Sequence, residues 1–303
     1  MKIVTYLSEN IIRTGIVKGE HIARIDDWIE AQPINDEALS RAHQFGLPPA
    51  SSGIMKLLQG GSSMMQRLAQ HAAKLVSTED HLDNVRLFAP VPRPGKILGV
   101  GRNYADHAKE TGVDPFEKPR IFAKLSSTVC GPGAIVRRHA DVSKMDFEGE
   151  LAVVIGKAAW QVPQEEALQY VAGYTILDDV SARELQFDIS PPQTTFAKSK
   201  DGFTPMGPWL VTADEIPDPQ QLELTTWVND IQMQHSTTDL MLFPVAHLIA
   251  YLSRTLTLEP GDVIATGTPA GIGAFRKPPQ YLQPGDRVRI QISRIGTLEH
   301  SIG

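Results

Sequence analysis

The 303 residues contain one cysteine, Cys130. One cysteine cannot close an internal disulfide, which excludes a secreted disulfide scaffold. Cys130 reads as a small buried hydrophobe. Long apolar runs are missing as well. None approaches the roughly 20 residues that a membrane helix needs, so no membrane partner is expected. The first ten residues, MKIVTYLSEN, lack a sustained apolar region, and no signal peptide is evident. Basic runs are also absent. The chain has 29 basic and 35 acidic side chains, a net charge of −6, which argues against nucleic acid. No Gly-rich phosphate loop with its lysine appears, nor a strand-anchored GxGxxG, nor a repeat of fixed period. The absences together point to a soluble protein of a reducing, cytoplasmic compartment.

What is present is a chain rich in turns, with 24 glycines and 22 prolines, and long enough to bury a large core without staples. Residues 2–25 break into three short strand-like runs, with KGEH as a turn. Residues 60–76 (GGSSMMQRLAQHAAKLV) space Met64, Leu68, Ala72 and Leu75 as one helical face. Polar and proline-rich stretches follow, up to about residue 96. We therefore expect a small N-terminal α/β domain over residues 1–80 and a main domain over 81–303. In the main domain, KILGVG, FEGELAVVIG and AGYTIL read as strands. PVAHLIAYLSRTL reads as a helix with Pro244 in its first turn. EPGDVIATG and QPGDRVRIQI each use Pro-Gly-Asp as a turn that feeds a strand. The expected class is α+β and β-dominated, a mixed sandwich or roll with few helices.

Two features carry chemistry. In MDFEGELAVVIG (145–156), strand alternation puts Met145, Phe147, Leu151, Val153 and Ile155 on one apolar face. Glu148 and Glu150 share the other face, either as solvated side chains or around a hard cation that offsets their repulsion. A third carboxylate, from Asp178 or Asp179, follows the strand AGYTIL. One of the pair could instead cap a helix starting in VSARELQ, and alternation does not decide between them. In GRNYADHAKETG (101–112), His107 and Glu110 stand three apart and share a helical face. They form either an ordinary surface pair or a general base whose basicity the glutamate raises. His235, in QHSTTD, reads as a loop residue.

Taken in order, GRNYADHAKE, FEGELAVVIGK, GYTILDDVSARELQ, FAKSKDGFTPMGPW and ATGTPAGIG resemble the fumarylacetoacetate hydrolase superfamily over roughly residues 85–303. The resemblance implies that Glu148, Glu150 and Asp179 bind Mg²⁺ or Mn²⁺. It implies that His107 and Glu110 activate water, that Lys198 is an active-site lysine and that Thr268 binds substrate. It places Arg102, Lys124 and Gln186 around the site. The fourth metal carboxylate of the vertebrate-type fumarylacetoacetase has no match here, so the chain looks like the shorter, bacterial-style members. The implied reaction is hydrolysis of a carbon–carbon bond in an acylpyruvate-like or 2-oxo/2-hydroxy dienedioate-type acid, through a metal-bound enolate. The alternatives on the same site are decarboxylation of a 2-oxo diacid such as oxaloacetate, or a 2-hydroxymuconate-type keto–enol isomerisation. The resemblance also implies a homodimer and a small-molecule acid as partner.

Overall fold

A computed structural model describes residues 1–36, 38–40, 49–75, 80–106, 110 and 116–303. The N-terminal strands are β1 (Lys2–Ser8), β2 (Ile11–Lys18), β3 (His21–Arg24), β4 (Asp80–His81) and β5 (Arg86–Leu87). Next come β6 (Ile97–Gly101), β7 (Arg120–Lys124), β8 (Val129–Cys130), β9 (Ile135–Val136) and β10 (Met145–Asp146). The middle of the chain adds β11 (Gly149–Ile155), β12 (Val171–Asp178), β13 (Ser181–Ala182) and β14 (Thr204–Thr212). The last strands are β15 (Glu223–Val228), β16 (Ile231–Thr237), β17 (Val263–Ala265), β18 (Arg287–Ile292) and β19 (Gly296–Ile302).

A large sheet runs in the order β4-β3-β2-β1-β14-β12-β11-β17-β6-β7. The N-terminal strands enter it through β1, which pairs antiparallel with β14 at Ile3 and Leu210. A second sheet runs β16-β15-β18-β19-β9. Both Pro-Gly-Asp turns feed strands in the way the sequence suggests, one before β17 and one before β18. Gly261 and Gly285 take φ of 89° and 96°, which glycine adopts without a Cβ penalty. In each turn the aspartate accepts from the N–H three residues earlier, Glu259 or Gln283.

β11 lies at the centre of the large sheet, between β12 and β17. Its neighbours cover both faces. Leu151, Val153 and Ile155 pack toward the second sheet with Leu224, Val288 and Ile290. Ala152 and Val154 pack the other way. Their cover includes the helices α1 (Asp26–Glu30), α2 (Gly53–Gln59) and α3 (Gly61–Ala72), through residues such as Ile29, Leu57 and Leu68. Each fully buried aliphatic side chain contributes about 1.5–3 kcal/mol relative to exposure. This corrects the half-exposed strand that alternation allows. The face carrying the glutamates is also interior: the helices pack on Ala152 and Val154, and Glu148 and Glu150 are themselves buried. Two later helices are α4 (Thr194–Ala197) and α5 (Val245–Ser253), with Pro244 at the N-terminus of α5.

Three local expectations change. VSARELQ forms the short strand β13 and a π-helical turn over Glu184–Asp188. His235 sits on β16 rather than in a loop, exposed, with Nδ1 3.1 Å from Thr225 Oγ1. Cys130 is half-buried in β8, with Sγ 3.3 Å from the Gly202 carbonyl. Burial pushes its thiol up to about 12.

Candidate active site

The antiparallel register pairs Gly149 with Asp178. This brings the start of β11 and the end of β12 together, so Glu148, Glu150 and Asp179 converge. Each offers a carboxylate oxygen, all within 4.8 Å of one another, and all three are buried. Gly149 between the two glutamates is a close approach. A Cβ there would lie 2.4 Å from Thr226 Oγ1 of the second sheet.

The doublet divides its work. Asp178 Oδ1 accepts the Glu148 N–H at 2.7 Å, and its Oδ2 lies 2.7 Å from His300 Nε2. Asp178 therefore holds the strand ends in place, and neither aspartate caps a helix. Asp179 faces the cations instead. Lys124 Nζ donates to Asp179 Oδ1 at 2.6 Å and to the carbonyls of Lys198 and Phe203. Lys198 Nζ donates to Asp179 Oδ2 at 2.5 Å, Glu148 Oε2 at 2.8 Å and Ser181 Oγ at 2.9 Å. Arg183 ion-pairs with Glu148 at 2.7 Å and with Asp146 at 2.8 Å. Its third nitrogen donates to Gln186 Oε1 at 2.7 Å.

Burial works against the charge on Lys198, but Asp179 and Glu148 outweigh it and raise its pKa. Arg183 follows the same pattern with Glu148 and Asp146. Lys124 goes the other way: burial lowers its pKa and Asp179 offsets only part of this. Glu150 differs from its neighbours. It accepts the Gly267 N–H at 2.8 Å, and among the described residues it has no lysine or arginine partner. Burial, then repulsion from Asp179 and Glu148, pushes its carboxyl well above the ordinary glutamate range. Gly267 holds φ +100°, and a Cβ there would meet Asn103 at 2.7 Å, so a side chain would not fit.

The donor set fits a hard divalent cation. Oxygen ligands surround Ca²⁺ or Mg²⁺ at roughly 2.0–2.6 Å, and these three carboxylates could close to such distances. Charge points the same way. Asp146, Glu148, Glu150 and Asp179 face Lys124, Arg183 and Lys198, leaving one negative charge in excess. A divalent cation would turn that excess into one positive charge, suited to an anionic acid.

A pocket opens beside this cluster. Glu148, Arg183, Gln186, Lys198 and Thr268 line its inner end, and Arg102 and Arg120 its outer part. Phe122, Phe187 and Phe275 add apolar walls. Thr268 Oγ1 donates to the Gly149 carbonyl at 2.9 Å and accepts from Gln234 Nε2 at 2.8 Å. Glu110 Oε1 accepts the Gly271 N–H at 3.0 Å, on the loop that follows Thr268. His107 lies outside the described residues. Lys124 and Lys198 are both buried.

Sequence reasoning passed over Arg183 and Asp146. Asp146 shares the alternation of Glu148 and Glu150, two residues earlier, yet its carboxylate turns to Arg183 and to the N–H groups of Gly273 and Ala274. Arg183 stands three before Gln186, a spacing that does bring the two side chains together in the helical turn.

The family profile described as fumarylacetoacetate (FAA) hydrolase C-terminal matches residues 96–303. The oxaloacetate tautomerase YisK of Bacillus subtilis is 40% identical over 286 residues, covering 91% of this chain and 94% of that protein. The mitochondrial oxaloacetate tautomerase fahd2 of Xenopus laevis is 39% identical over 258 residues, covering 84% and 80%. Among solved structures, the fumarylacetoacetate hydrolase of Exiguobacterium antarcticum is 35% identical with a TM-score of 0.77, covering 100% of this chain and 99% of that one. The maleylpyruvate hydrolase of Sphingobium sp. SYK-6, solved with manganese(II) and pyruvate, is 30% identical with a TM-score of 0.75, covering 100% and 98%. The chain belongs to the fumarylacetoacetate hydrolase family, and its relatives are enzymes acting on small acids. No helix among the described residues is long and apolar enough to cross a membrane.

Proposed function

We propose that this protein is a divalent-metal-dependent enzyme that interconverts the keto and enol forms of a short 2-oxo diacid of the oxaloacetate type. The observation that carries the reading is the buried triad Glu148, Glu150 and Asp179, within 4.8 Å and flanked by Lys198. Its similarity to two oxaloacetate tautomerases, at 39% and 40% identity, supports the choice of reaction. In this reading the triad holds Mg²⁺ or Mn²⁺, and manganese in the maleylpyruvate hydrolase supports a metal of that kind.

When bound, the metal supplies Lewis-acid polarisation of the 2-oxo group. The chain's own residues bind the acid, orient it and balance its charge. Lys198 keeps a positive charge beside the triad and offsets the negative charge that develops on the substrate oxygen. Arg183 fixes Glu148 and presents Gln186 to the pocket. Thr268 and Gln186 orient the acid, and Arg102 attracts it. Phe122, Phe187 and Phe275 restrict water around the reacting carbon.

A second reading keeps the same site and adds hydrolysis or decarboxylation, with Glu110 and His107 activating water. The anchoring of Glu110 on Gly271, next to the Thr268 loop, favours it. One assay separates the two. Enol oxaloacetate is supplied, and its conversion to the keto form is followed by coupling to malate dehydrogenase, with pyruvate measured in parallel. The tautomerase reading expects rapid ketonisation that chelation abolishes, with little pyruvate. Pyruvate formed at the ketonisation rate, or a rate indifferent to chelation, contradicts it.

A further inference from the structure

β7 works as a graded ruler along the pocket. Lys124, Phe122 and Arg120 alternate onto one face of the strand, spaced by about 6.7 Å per two residues. Lys124 is buried and holds Asp179. Phe122 lies over Lys198 Nζ, whose distance to the ring centre is 5.0 Å. Arg120, exposed, stands at the outer end and lines the same pocket as Glu148 and Lys198.

Across the sheet, Arg120 pairs with Gly101, which places it next to Arg102. Arg102 holds φ +56° where the chain leaves β6. That left-handed backbone is uncommon for a non-glycine residue, and such positions persist where the surroundings demand them. The Arg102 guanidinium lies 5.5 Å from the Phe116 ring centre. Burial, then the neighbouring charge of Arg120, lowers the pKa of Arg102. Neither arginine has a carboxylate partner among the described residues. Two adjacent guanidinium groups at a pocket mouth, repelling one another and with no carboxylate partner among the described residues, form a site for an anion.

We infer that Arg120, together with Arg102, forms a subsite for the distal carboxylate of the ligand and makes the pocket selective for diacids over monoacids. This rests on the proposed binding of a 2-oxo or 2-hydroxy acid at the triad, and it adds Arg120 as the residue that reads the far end. The proximal carboxylate lies toward Lys198 and Thr268, and the distal one lies between the two arginines.

The test compares non-reacting ligands on the Mg²⁺-loaded protein. Binding of malate and of 2-hydroxybutyrate is measured by calorimetry for wild type, Arg120→Gln and Arg120→Lys. Malate should bind wild type about tenfold more tightly than 2-hydroxybutyrate, the effect of one added charged contact near 1.4 kcal/mol. In Arg120→Gln the ratio should fall toward one, and Arg120→Lys should recover part of it. An unchanged ratio in Arg120→Gln, or no preference in wild type, overturns the inference. Ketonisation is read separately. Loss of the tautomerase reading with the diacid preference intact leaves this subsite standing.

Discussion

Asp80 and Glu150 are both buried carboxylates, and their surroundings treat them in opposite ways. Asp80 lies in the N-terminal part of the large sheet. It accepts from Tyr6 Oη at 2.8 Å, Ser8 Oγ at 2.8 Å and Arg24 Nε at 2.7 Å. The Arg24 guanidinium holds its carboxyl well below the usual range. Every demand of that charge is met by the protein. Glu150 has one backbone N–H and two carboxylate neighbours, and its carboxyl is pushed up. The first arrangement is complete as folded. The second has no cationic side-chain partner among the described residues and is balanced by a proton or by the proposed cation.

The contrast breaks most sharply at Glu150. Glu150→Gln should lower metal-dependent turnover roughly a thousandfold, the equivalent of several kcal/mol of lost Lewis-acid stabilisation. The same change removes repulsion, so the metal-free variant should melt no lower than metal-free wild type. Turnover kinetics and thermal melts check both halves, and a large loss of stability would mean that Glu150 has a structural partner.

Arg24→Ala sharpens the other side. Leaving Asp80 without its guanidinium should cost about 2 kcal/mol in denaturant unfolding, while metal affinity stays unchanged. The smallest effect is in pH. The Asp80 carboxyl is depressed in the folded state, so its contribution is present above the unfolded value of about 3.9 and is lost as pH falls below it. Acid unfolding of Arg24→Ala should therefore show a flatter pH dependence below about pH 4 than wild type. An identical slope would remove Asp80 as a source of acid sensitivity.

Much of this was legible in the chain. The strands over 2–25, the two Pro-Gly-Asp turns and the helix at Pro244 follow from local turn chemistry and spacing. Glu148 and Glu150 stood out because period-2 alternation needs no tertiary information. The burial of their face did not, because it depends on which elements cover β11. Alternation left Asp178 and Asp179 open; the family resemblance pointed to Asp179, and cross-strand register gives Asp178 to the Glu148 N–H and His300. Arg120 was invisible for the same reason. Its place beside Arg102 comes from the pairing of β6 with β7 and has no signature along the chain.

We propose that Glu148, Glu150 and Asp179 hold a divalent cation. Calorimetric titration of Mn²⁺ into metal-stripped wild type and Glu150→Gln tests it directly. One saturable site per chain is predicted in wild type. In the variant it should weaken by more than the ~10–100-fold that loss of an outer-shell partner produces. Equal affinity in the two proteins, or no saturable uptake by wild type, would contradict it.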